Sequence, residues 1–63
     1  MLWISELMIQ NAGFESFDDL CAAVTERARE GERFLRMDIK PTYPDTPDDW
    51  EDRLEAAFSG RVD

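Results

Sequence analysis

Apolar residues recur at helical spacing in three stretches of this chain and alternate with polar ones in a fourth. In the first stretch Ile4, Leu7 and Met8 stand at i, i+3 and i+4, with Ile9 widening the face, which predicts a helix over 4–11. Ser5 is a cap for a shortened version that would leave 1–4 extended, and Gly13 is the expected stop. In the second, Phe17, Leu20, Cys21, Val24 and Ala28 mark one buried face of a helix over 16–30. Ser16 is placed to accept an orphan backbone N–H at its start, and Asp18 and Asp19 suit the positive end of the helix dipole. Glu26, Arg27, Arg29 and Glu30 take the wet side, and Gly31 permits the left-handed turn that ends the helix.

Beyond Gly31 the period changes. Leu35, Met37 and Ile39 alternate with Arg36, Asp38 and Lys40, the pattern of one short half-buried strand near 33–40, stopped by Pro41. A lone strand needs somewhere to place its backbone hydrogen bonds. The extended N-terminal residues are the first expected partner, the same strand of a second subunit the next, an edge on a target the third. Pro41, Pro44 and Pro47 then recur at every third residue and hold the chain extended or turned. A third helix is predicted over 47–59, with Thr46 as N-cap and Pro47 at the first helical position. Trp50, Leu54, Ala57 and Phe58 form its apolar face, Gly60 closes it, and Arg61, Val62 and Asp63 are expected to fray. The sum is a small, mostly helical α+β fold in a single compact domain over 1–63: three helices and one short strand.

Composition narrows the class. Sixty-three residues, 43% of them hydrophobic, hold enough apolar side chain for a core, yet a chain this short buries only about 60% of its unfolded surface. The lone Cys21 lies among apolar neighbours and can form neither an internal disulfide nor a zinc site, so it reads as a structural thiol. Residues 1–9 are apolar but lack a basic leader, and no stretch approaches the roughly 20 apolar residues of a membrane span. A soluble, cytoplasmic protein is expected. The net charge of −8 repels nucleic acid and anionic lipid and attracts basic surfaces, so neither direct nucleic-acid binding nor membrane association is expected.

No constellation for catalysis stands in the sequence. Histidine is absent, and the nucleophile candidates Ser5, Ser16, Ser59 and Cys21 sit at caps, on a core face or without a base beside them. Lys40 is the single lysine, and three isolated glycines make no phosphate loop. Asp45, Asp48, Asp49 and Asp52 are close in sequence, but Pro47 interrupts them and no glycine supplies the tight turn of a calcium loop. The expectation is a protein that is not an enzyme and holds no cofactor or metal.

What remains is charge. Residues 1–19, 20–40 and 41–63 carry −4, +1 and −5, and the −5 is concentrated in 45–55. There Asp45, Asp48, Asp49, Glu51, Asp52 and Glu55 face one base, Arg53. Helix-start chemistry accounts for the first-turn acids, each favoured by a few tenths to about 1 kcal/mol. It does not account for a stack. At about 100° per residue, Asp48, Asp52 and Glu55 fall within roughly 60° of one another, opposite the apolar face. Such carboxylates repel one another, a local penalty that a basic partner would remove. Over 45–55 as a whole the six carboxylates give about one charge per 3 Å of helix axis, near the 3.4 Å of a DNA strand. Tyr43 beside them suits cation–π contact with an arginine, although a ring packed on the core edge is the simpler reading.

In length, net charge, lack of catalytic residues and this unscreened acidic helix, the chain resembles the small acidic inhibitors of phages and mobile elements. It is most similar in type to the anti-CRISPR proteins that imitate DNA. The resemblance implies occupation of a basic, DNA-binding or PAM-reading surface of a partner such as a CRISPR effector complex, in the host cytoplasm. Asp48, Asp52 and Glu55 would form the centre of that contact, with Asp45, Asp49 and Glu51 around them. The mixed charge of Arg27, Arg29, Arg33, Arg36 and Lys40 departs from a pure mimic. Two other functions fit the same residues. One is a homodimeric assembly module closed by pairing of the Phe34–Ile39 strand and burial of Trp3 and Met8; the other is an antitoxin-like regulator of a basic partner.

Overall fold

The computed structural model describes residues 1–60. Its elements run β1 (Leu2–Trp3), α1 (Ile4–Gln10), α2 (Phe17–Arg29), β2 (Leu35–Arg36) and α3 (Trp50–Ser59). The small, mostly helical α+β class is what forms; the tail expected to fray, Arg61 to Asp63, lies outside the described residues.

The strand finds its partner inside the chain. β1 and β2 pair in parallel, Leu2 opposite Leu35 and Trp3 opposite Arg36, and the Leu2 amide donates to the Phe34 carbonyl at 2.8 Å. α1 and α2 together make the long crossover that a parallel pair requires. The ladder is much shorter than 33–40 because β1 turns into α1 at Ile4, and no ladder outruns its shorter strand. Ser5 is not the cap of α1; Trp3 takes that place. The Ser5 amide donates instead to Asp38 Oδ1 at 3.1 Å and its hydroxyl donates to Oδ2, a clip between α1 and the chain beyond β2. Asn11, rather than Gly13, ends the helix, its amide and its side-chain Nδ2 both reaching the Leu7 carbonyl. Ile9 does not widen the buried face: it is 78% exposed.

α2 forms as its sequence predicts. The Ser16 hydroxyl accepts from the Asp19 amide at 3.1 Å. At the other end Gly31 adopts φ +119°. The Gly31 and Glu32 amides then bond back to Ala28 and Arg27 at 3.2 and 3.3 Å, a paired closure that uses up two orphan carbonyls. Leu20 and Val24 are wholly buried, and Phe17 and Ala28 nearly so.

α3 begins a turn later than expected, at Trp50 rather than residue 47. The reason lies in Thr46. Its hydroxyl accepts from the Tyr43 amide at 3.1 Å and its amide donates to the Tyr43 carbonyl at 3.0 Å, closing a turn over 43–46 instead of capping a helix. Asp49 occupies the cap position without a side-chain bond to the backbone. The apolar face is as predicted, with Leu54 and Phe58 buried and Trp50 and Ala57 half-buried.

Leu2, Ile4, Leu7, Leu54 and Phe58 join the α2 stripe in one core, with Met8, Leu35, Met37 and Tyr43 packed around it. Each fully buried leucine contributes about 1.5–3 kcal/mol. The radius of gyration, 10.5 Å, matches the ~10.6 Å of a close-packed chain of this length. The most extensive contact between elements is that of α2 with α3. Asp45, just ahead of α3, accepts the Phe17 amide at the start of α2 at 2.6 Å, and further along both helices Thr25 Oγ1 donates to the Ala57 carbonyl at 2.7 Å. Those two bonds, at the starts and towards the ends, give the helices a common direction.

Candidate acidic interface

Parallel packing brings the N-termini of α2 and α3 to one end of the molecule. Two positive dipole ends lie side by side there, and acidic side chains are favoured near both. Asp18 and Asp19 open α2; Glu51 and Asp52 open α3. The half-buried Cys21 thiol, one turn into α2, is pushed up first by desolvation and then by Asp18 and Asp45, with Arg53 pulling the other way. A thiol so held is a poor nucleophile, as expected of a structural cysteine.

The six candidate acids divide into those the fold employs and those it leaves to solvent. Asp45 is employed. Its Oδ1 accepts the Phe17 amide at 2.6 Å and its Oδ2 the Asp18 amide at 3.4 Å, so it supplements Ser16 at the start of α2. Asp49 is employed too: its carboxylate lies 3.3 Å from Arg53 Nε, four residues on. Asp48, Glu51, Asp52 and Glu55 are all exposed, and among the described residues none has a hydrogen bond or ion pair through its side chain.

The later start of α3 alters the predicted stack. Asp48 lies in the turn before the helix, so it does not share a helical stripe with Asp52 and Glu55. Glu51 takes its place. Glu51, Asp52 and Glu55 occupy an arc of roughly 100° that borders the buried Leu54–Phe58 side at Glu51 and turns away from it towards Asp52, with Arg53 about 100° beyond the arc. Glu51 and Glu55 are an i,i+4 pair of like charges and Asp52 and Glu55 an i,i+3 pair, each unfavourable by about 0.2–0.5 kcal/mol. For Glu51 and Asp52 the dipole term, about 0.3–1 kcal/mol, offsets this. Glu55 stands in the second turn, beyond the reach of that term. It is the acid that folding does not explain.

Asp18 was not singled out among the acidic candidates, yet it shares the acidic end; the proximity follows from a packing direction that no local pattern encodes. Tyr43 packs against the core, and burial with the nearby Asp19 charge pushes its hydroxyl above the usual tyrosine range. Among the described residues no group of acids, cysteine or histidine is arranged to hold a metal ion, and no helix is long and apolar enough to cross a membrane. No protein family, curated protein or solved structure matches the chain.

Proposed function

We propose that this protein is an acidic inhibitor that lays the exposed arc of α3 on a basic, nucleic-acid-binding surface of a partner protein and blocks it by occlusion. The observation that carries this reading is Glu55, exposed, unpaired among the described residues, and flanked by two like charges while the neighbouring Arg53 is drawn to Asp49. Arginines and lysines that ordinarily hold phosphates relieve that repulsion on contact. Association is then fast and sensitive to salt, as for other electrostatically steered complexes. Glu51, Asp52 and Glu55 form the centre of the contact, with Asp48 beside them. Asp45 and Asp49 contribute charge to the same end while serving the fold. The partner class is that of the DNA-mimicking anti-CRISPR proteins: an effector complex in the host cytoplasm whose DNA-reading channel is basic.

The test is displacement of target DNA from purified CRISPR effector complexes in a gel-shift assay, run at low and high salt. The wild-type protein is expected to displace DNA from its cognate effector, less well as salt rises. The variant D48N/E51Q/D52N/E55Q is expected to fail while its far-UV circular dichroism is unchanged. Undiminished displacement by the variant would remove α3 from the site. Absence of displacement by the wild-type protein across the effector types would remove the occlusion reading itself.

A further inference from the structure

The second unusual surface is the outer face of the small sheet. Leu2 and Leu35 turn inward and pack in or against the core, so the residues that alternate with them turn outward. Trp3 stands directly opposite Arg36, whose guanidinium carbon lies 5.5 Å from the indole ring centroid. Met1 and Phe34 stand one step earlier on the two strands, 61% and 64% exposed. An aromatic pair, a methionine and an arginine on one small face are the residue types enriched at protein contacts.

Charge identifies the occupant. Residues 1–6 and 32–40 carry Glu6, Glu32 and Asp38 against Arg33, Arg36 and Lys40, a balance of zero. The whole −8 of the chain therefore lies outside the sheet segment. A strongly basic or strongly acidic partner has no reason to prefer this segment. A second copy of the chain does: two copies repel through their acidic ends, residues 41–63 carrying −5, but not across a balanced segment, and a two-fold contact requires a self-complementary patch.

We propose that the outer face of the sheet, centred on Trp3 and Phe34, is the contact between two copies of this protein. Phe34 and Trp3 of each copy form the apolar centre; Arg36 of one copy meets the exposed Asp38 of the other. The contact uses neither the outer edge of β2 nor Met8, which is half-buried and packs on the core. It leaves α3 outside and does not depend on the acidic-face reading. The exposed surface of the chain is 4220 Å². A standard interface takes about 800 Å² from each partner, nearly a fifth of that, whereas this face rests on Met1, Trp3, Phe34 and Arg36 alone, so the dimer it gives is weak and reversible.

Sedimentation equilibrium of the intact chain, from about 10 μM to about 1 mM, tests this in the range where small contacts form. The weight-average mass is expected to rise from 7.3 kDa towards twice that value. Phe34→Glu is expected to raise the dissociation constant on the order of tenfold or more. Ile9→Ser, at an exposed apolar site away from the sheet, is expected to leave it unchanged. Far-UV circular dichroism and a denaturation midpoint show that both variants fold. A wild-type chain that stays monomeric throughout overturns the proposal. So does a Phe34→Glu variant that folds and dimerises like the wild type, or a dimer that Ile9→Ser disrupts instead.

Discussion

The carboxylate of Asp45 receives the backbone amide of Phe17, twenty-eight residues away, at 2.6 Å. With the Asp18 amide on its other oxygen, it ties the proline-spaced connection to the first turn of α2. Acids and hydroxyls that satisfy helix-start amides are worth about 0.5–2 kcal/mol. Asp45→Ala is therefore expected to lower unfolding stability by about 1–2 kcal/mol. Asp48→Ala, three residues on, is expected to stay within about 0.5 kcal/mol of wild type. Urea denaturation of the two variants checks the contrast, and equal effects would show that the Asp45 bonds do not hold in solution.

Gly31 makes a second prediction. Its φ of +119° lies where an L side chain is strained, although the space around a Cβ there is open. Gly31→Ala is expected to cost about 1–2 kcal/mol for conformational reasons alone. In a domain whose total stability is only about 3–9 kcal/mol by its length, that is measurable as a lower urea midpoint with an unchanged slope. A neutral or stabilising result would place Gly31 outside the left-handed region.

These two residues mark how far the sequence could be read. α2 was legible because everything that defines it is local: Ser16 caps Asp19, the stripe from Phe17 to Ala28 is continuous, and Gly31 follows at once. The partner of β2 was legible as well, since an extended segment was available at the N-terminus. The start of α3 was not. Thr46 and Pro47 are a sound helix-start pair, but Thr46 is engaged by Tyr43 in a turn, a competition between two local hydrogen bonds that periodicity does not rank. Nor could the role of Asp45 be read, because its partners are distant in sequence. Of the candidate site, the concentration of charge was legible, and the membership of the stack was not: the fold employs Asp45 and Asp49 and shifts Asp48 off the helix, which leaves Glu51, Asp52 and Glu55 on α3.

The clip between Ser5 and Asp38 predicts a dependence on pH. The Ser5 hydroxyl is the chief cause of an Asp38 carboxyl held below the usual aspartate range; partial desolvation opposes it, while the Ser5 amide and the Arg36 charge add to it. A carboxyl whose pKa is lower folded than unfolded stabilises the fold above the unfolded pKa. That contribution is lost as pH falls through the folded value. Ser5→Ala is expected to return Asp38 towards an ordinary aspartate and to flatten the acid limb of the stability curve. Carbon-detected NMR titration of the Asp38 carboxyl reads the first effect, and urea midpoints below neutral pH read the second. An unchanged Asp38 titration in the variant would show that the clip does not form.

Glu55 separates binding from folding most sharply, because the two demands on it have opposite sign. Replacing Glu55 by lysine removes an i,i+4 repulsion with Glu51 and an i,i+3 repulsion with Asp52. It also creates a Glu51–Lys pair in the favourable orientation, glutamate on the N-terminal side. Stability is expected to rise by about 0.5–1 kcal/mol. On a basic partner the same change reverses one charge at the centre of the contact, so association should slow and weaken. Glu55→Gln should lie between the two on both scales. Urea denaturation and displacement of DNA from the effector complex, measured on the same three proteins, place them on those scales. If stability rises along the series Glu, Gln, Lys while displacement falls, Glu55 is kept for binding against its effect on the fold. If stability rises and displacement does not change, the arc on α3 is a solvated face and nothing more.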